Sequence, residues 1–181
     1  MNCIHRWEIA ARQEGPEEII KALTFKGLAF YCLGRFEPAI EAVKDGLAIA
    51  KKNSFNIWIA KLLINGADYH AELGNSSLGR KLRSDSESRA IVREAKKILK
   101  SLRHLPKEEV DAIQGRLWDT EGAVYITFGR TESKVLQGLR LCERAYLFIE
   151  KTPGPEDFKQ CAKLYFDARL KRAYRRLGEF P

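Results

Sequence analysis

"KGLAFYCLGRFEPAI", Lys26 to Ile40, decides the fold. An aromatic, Phe30, is followed by Leu33-Gly34 and then by Phe36. "KRAYRRLGEFP", Lys171 to Pro181, repeats that frame with Tyr174, Leu177-Gly178 and Phe180. In each the apolar residues stand three or four apart and a glycine follows, which is the pattern of a helix that stops and turns.

The same phrase occurs between these two copies. "YHAELGN" places Gly74, and "YITFGRT" places Gly129, behind further apolar stripes. Leu23, Gly27, Phe30 and Leu33 form one stripe, and Trp118, Gly122, Tyr125 and Phe128 another. A glycine after each stripe would supply a left-handed residue that closes the last turn. After the first three glycines a second helix follows. Ala39, Val43 and Gly46 line one such helix, and Gly138, Cys142 and Ala145 line another with the same four-then-three spacing. Small residues there let paired helices approach closely. The prolines, at 16, 38, 106, 153, 155 and 181, all fall where a helix would start or end. No stretch alternates cleanly enough for a strand, so the expected class is all-α. "GNSSLGRKLRSDSESRA", Gly74 to Ala90, interrupts the regularity and reads as a long exposed loop.

Totals bound the rest. The chain has 181 residues, 45% hydrophobic and 31% charged, which suits one globular unit burying roughly 70% of its unfolded surface. No run approaches the ~18 apolar residues of a membrane span. The start, "MNCIHRWEIAARQEG", carries early charges and no small-residue cleavage pattern, so a secretory leader is not expected. Cys3, Cys32, Cys142 and Cys161 form no CxxC pair and read as buried small side chains in a reducing, cytoplasmic setting. The net charge of +8 favours acidic partners or a nucleic-acid surface and says nothing of fold.

A small residue, an aromatic three on, Leu-Gly, an aromatic and then Ala on the next helix resemble a tetratricopeptide repeat (TPR). Gly27, Phe30, Leu33, Gly34, Phe36 and Ala39 carry the resemblance in the first unit, and Trp118, Gly122, Tyr125 and Gly129 in the third. The second unit is looser, its register open between Gly66 and Ala67. The fourth, Ala173 to Phe180, has no second helix. The resemblance implies a single TPR-like right-handed solenoid of antiparallel helix pairs: a half-unit over 1–15, units at about 16–52, 56–103 and 107–151, and a terminal helix over 156–178. The half-units would either cap the array or mark a cut from a longer one.

No enzymatic constellation is present. His5, His70 and His104 are isolated, and GxSxG, HExxH, P-loop and GxGxxG patterns are missing, so neither catalysis nor a cofactor nor a metal is expected. Binding is the expected activity. The resemblance implies a concave groove lined by the first helices of successive pairs. Lys21, Thr24, Leu28 and Tyr31 would face it from the first unit, and Lys61, Asn65 and Asp68 from the second. Asp119 and Thr120 would face it from the third, and Arg169, Arg172 and Arg176 from the terminal helix. The family's carboxylate clamp is absent, because Thr24, Leu28, Asp119 and Ala123 occupy its positions. The groove would run from apolar to strongly basic and suit a peptide or protein with an acidic segment, in a scaffold or regulatory complex. The alternative is a basic nucleic-acid- or phosphate-binding surface of Arg80, Lys81, Arg83, Lys96, Lys97 and Lys100. Self-association through the array ends is a third expectation. "RKLRS" makes Ser84 a candidate phosphorylation site on the expected loop.

Overall fold

The three- and four-residue stripes fold as helices throughout the computed structural model. It describes residues 14–75, 81–152 and 156–180, the side chains of residues 81–84, 157, 158 and 161 excepted. Seven helices and no strand occur among the described residues: α1 (Pro16–Cys32), α2 (Phe36–Lys52), α3 (Asn56–Asn75), α4 (Lys81–Ser101), α5 (Lys107–Phe128), α6 (Glu132–Lys151) and α7 (Glu156–Leu177).

Local chemistry sets the ends. Pro16 opens α1 with Glu17 and Glu18 in its first turn, where the exposed N–H groups and the helix dipole favour acids. At its other end Arg35 N donates to Phe30 O at 2.9 Å and Gly34 N to Tyr31 O at 2.9 Å, a Schellman closure with Gly34 left-handed at φ 69°. Helix α2 closes in the same way: Phe55 N donates to Ala50 O at 2.9 Å and Ser54 N to Lys51 O at 3.2 Å. There the left-handed residue is Ser54, at φ 57°. Pro106 precedes α5, and the Thr131 hydroxyl caps α6 by accepting from Lys134 N at 3.3 Å.

The phrase that reveals the turns does not make one conformation. Of Gly34, Gly74, Gly129 and Gly178, only Gly34 is left-handed. Gly74 lies inside α3 and is buried. Gly129 ends α5 at φ −59°, and its need is steric: a Cβ there would meet Tyr125 O at 2.5 Å. The expected loop over residues 74–90 is also corrected. Helix α3 runs to Asn75 and α4 begins at Lys81, so Ser84 lies in a helix. Asp85 and Arg89 pair across one turn, and Ser88 is fully buried, with the apolar stripe continuing through Val92, Ala95 and Leu99. Residues 76–80 lie outside the described residues.

Adjacent helices pack as pairs, α1 on α2, α3 on α4 and α5 on α6. Helix α3 also meets α5, and α5 meets α7. Most of α3 is buried, from Ile59 through Gly74, and it centres a core reaching from Ile20 on α1 to Phe128 on α5. A smaller cluster of Ile126, Val135, Cys142 and Ala173 joins α5, α6 and α7, with Phe180 packed against it. Between α5 and α6 the backbones nearly touch. A Cβ on Gly122 would stand 2.6 Å from Gly138 O, and one on Gly138 would stand 2.7 Å from Gly122 O. The small-residue stripe therefore does what its spacing implied. The cysteines divide: Cys142 is buried as expected, whereas Cys32 is exposed. Cys3, and the side chain of Cys161, fall outside the described residues.

Candidate functional site: a tyrosine-lined cavity over an ion cluster

Helical spacing places Thr24, Leu28 and Tyr31 on one face of α1. Asn65, Asp68 and Tyr69 share a face of α3, and Arg116, Asp119 and Thr120 a face of α5. These faces, with residues of α6 and α7, enclose an open cavity of about 310 Å³. Helix α6 contributes Cys142, Ala145, Tyr146 and Ile149, and α7 contributes Ala162, Tyr165 and Phe166. Two stacked ring pairs stand in its wall: Tyr31 on Tyr69 at 4.9 Å, and Tyr146 on Phe166 at 5.1 Å between centroids. Leu28 and Tyr165 are exposed at the mouth, at 41% and 46%.

Beneath the cavity α7 meets α3 and α5 through charge. Arg169 is 3% exposed. Its Nη1 donates to Glu72 Oε1 at 2.8 Å and its Nη2 to Asp68 Oδ1 at 2.5 Å, with a longer reach to Asp119 Oδ2 at 3.5 Å. Arg172 grips Glu72 with both nitrogens, at 2.7 and 2.8 Å. Three carboxylates thus face two guanidiniums. Desolvation and the neighbouring acids act in opposite directions on Arg169, and the acids hold it firmly protonated. Burial raises the Asp68 carboxyl above its ordinary range despite Arg169. Burial pushes Glu72 the same way, but the hydrogen bond from Arg172 and the charge of Arg169 outweigh it and hold Glu72 below the usual range. Burial also lifts the hydroxyls of Tyr31 and Tyr69 well above their ordinary value, so both stay protonated. The Cys142 thiol is likewise raised by burial; its Sγ lies 3.6 Å from Asp119 O, and it is no ready nucleophile.

The residues expected in a groove are brought together in part. Thr24, Leu28, Tyr31, Asn65, Asp68, Asp119 and Thr120 line the cavity. Lys21 does not; it pairs with Glu18 at 2.5 Å on its own helix. Lys61 turns away to the Trp58 ring and to Glu109, 3.8 Å off. Ala123 is fully buried. The basic end is the main correction. Arg169 and Arg172 are consumed by acids of the same chain. Arg176 gives its Nη2 to Gly129 O at 2.9 Å and pairs with Glu179. All three arginines of the expected basic end are thus paired within the chain. Sequence reasoning missed Tyr69, Arg116, Tyr146, Tyr165 and Phe166. For α7 the signal was available, since Ala162, Tyr165, Phe166 and Arg169 stand three and four apart.

On the alternative basic surface, Lys96 is tied to Glu121 at 2.5 Å, while Lys97 and Lys100 are exposed on α4. Arg80, and the side chains of Lys81 and Arg83, lie outside the described residues. Among the described residues no cluster of His, Cys, Asp and Glu could hold a metal ion, and no helix is long and apolar enough to cross a membrane. Comparison with known proteins is silent on what the cavity serves: no protein-family model, no curated protein and no solved structure matches the chain.

Proposed function

We propose that the chain is a non-enzymatic interaction module, a TPR-like solenoid whose inner groove takes a segment of a protein partner. The observation that carries the reading is the convergence of seven expected groove residues on one open cavity. A surface opening of this kind, apolar and aromatic with a few polar groups, is where a ligand segment gains most on leaving water. Exposed apolar residues beside the mouth support a macromolecular occupant. Phe25 is 55% exposed on the helix that carries Leu28, and Leu164 is 69% exposed next to Tyr165. Such residues offer an apolar rim outside the cavity proper.

The test uses the full chain as bait in lysate, with and without nuclease, beside two variants. Leu28→Glu puts a charge at the cavity mouth. Leu147→Glu alters an exposed leucine on α6 away from it. A protein retained by wild type and by Leu147→Glu, and lost with Leu28→Glu, supports the reading. Retention that vanishes with nuclease in all three overturns it in favour of the basic surface.

A further inference from the structure

The cavity's own chemistry narrows its occupant. Aromatic faces carry negative potential and attract cations, more strongly where water is excluded. Cations elsewhere in the chain already use this attraction: Arg144 stands 3.9 Å above Trp118, and Arg89 and Lys134 both lie over Tyr125. The rings that these and the other observed cation–ring contacts engage are not those of the cavity. Four of the five cavity rings form two stacked pairs, Tyr165 being the fifth, and beside them stands a carboxylate with capacity to spare. Asp119 is 26% exposed at its side chain and meets Arg169 only at 3.5 Å, while Arg169 spends its shorter contacts on Asp68 and Glu72. Three acids share the two arginines of that cluster, and of the three Asp119 is the least tightly held. Arg116 also borders the cavity, but it is exposed and turns its Nη2 to Asn65 at 2.8 Å.

We infer that the cavity receives a lysine or arginine side chain of the partner segment, its stem against Tyr31, Tyr165 and Phe166 and its cationic head on Asp119, with apolar neighbours of that residue seated on the Leu28 rim. The inference rests on the groove reading and reverses the charge first expected of the partner. A free organic amine would satisfy the cavity alone, but it would leave the apolar rim uncovered, and the occupant is therefore a peptide. A cavity of about 310 Å³ accommodates one long side chain rather than a folded element.

A random dodecapeptide display library panned against the immobilised full chain tests this. Recovered peptides should share a Lys or Arg flanked by apolar residues. For a synthesised binder, replacing that Lys by norleucine, or Arg by its uncharged analogue citrulline, should weaken binding by about tenfold or more. Asp119→Asn should weaken it similarly, with folding checked by thermal melting. Arg116→Ala, which removes a like charge at the rim, should tighten it by about two- to fivefold. Peptides that bind in a Leu28→Glu-sensitive manner without a Lys or Arg overturn the cation assignment and leave the groove standing. Recovery of no Leu28→Glu-sensitive peptide overturns both.

Discussion

Helices α6 and α7 both rest on α5, and they do so by opposite means. The α5–α6 seam is bare backbone and small side chains, closing to van der Waals limits at Gly122 and Gly138. The α7 seat is ionic, with Arg169 and Arg172 set among Asp68, Glu72 and Asp119, and only a small apolar cluster beside it. Close apolar packing is intolerant of added volume and indifferent to pH. A buried ion cluster adds little net stability, because each charge gives up hydration, yet it punishes the loss of any member. The wall of the cavity on the α7 side is therefore the one whose hold depends on solution conditions.

The largest effect should come from overfilling the first seam. Gly138→Val would drive side-chain atoms into Gly122 O, Tyr125 Cβ and Ile126 N, because a Cβ alone would lie 2.7, 2.9 and 3.0 Å from them. Backbone cannot yield cheaply, and a loss upwards of about 4 kcal/mol is expected by urea denaturation. A loss below about 1 kcal/mol would mean that α6 is less tightly seated than α7. Arg169→Met comes next. It leaves Asp68 and Asp119 facing each other without their shared cation and should cost about 3 kcal/mol. Adding Asp68→Asn and Asp119→Asn should return most of it; if the triple variant stays as unstable as the single one, the seat is held by packing rather than charge.

Acid titration separates the seats further. Glu72 has a folded pKa below its ordinary value, so its contribution is fully present above the usual carboxylate range and is lost as pH falls through the folded value. Asp68, raised by burial, works the other way and opposes folding as it ionises. Glu72→Gln should be less stable than wild type at neutral pH and should lose less on acidification from about pH 5 to 3, by denaturant midpoints. Equal slopes would place the acid sensitivity elsewhere. The smallest change serves as a reference remote from both seams. Ser54 holds a left-handed conformation that a side chain disfavours, so Ser54→Gly should stabilise by about 0.5–1 kcal/mol without altering either difference.

Local signals carried the helices, the Gly34 turn and the close α5–α6 approach into plain view of the sequence. The resemblance to a repeat then placed Thr24, Leu28, Asn65 and Asp119 on a common side. What stayed hidden was pairing at long range. Nothing near Arg169 announces that its partners sit in α3 and α5, so a run of arginines read as a free basic face. Segment 81–90 read as loop because Ser and Arg are common in loops, whereas its i,i+4 ion pair and the apolar stripe beyond it make a helix. Gly74 misled for a related reason: a buried glycine within a helix and a glycine that ends one look alike when only neighbours are counted.

The ion cluster also has a consequence in time. Its hydrogen bonds join residues 97 to 101 positions apart, from Asp68 and Glu72 to Arg169 and Arg172. The turns at Gly34 and Ser54 close over a handful of residues. Loops that long are slow to close and reward the chain only once most of it is already ordered. Docking of α7 is therefore expected after the rate-limiting step of folding, and stopped-flow measurements on Arg169→Met should show faster unfolding with an unchanged folding rate; slower folding would put α7 in the nucleus instead. The cavity, whose outer wall is α7, would then be the last part of the molecule to be completed and the first to be undone.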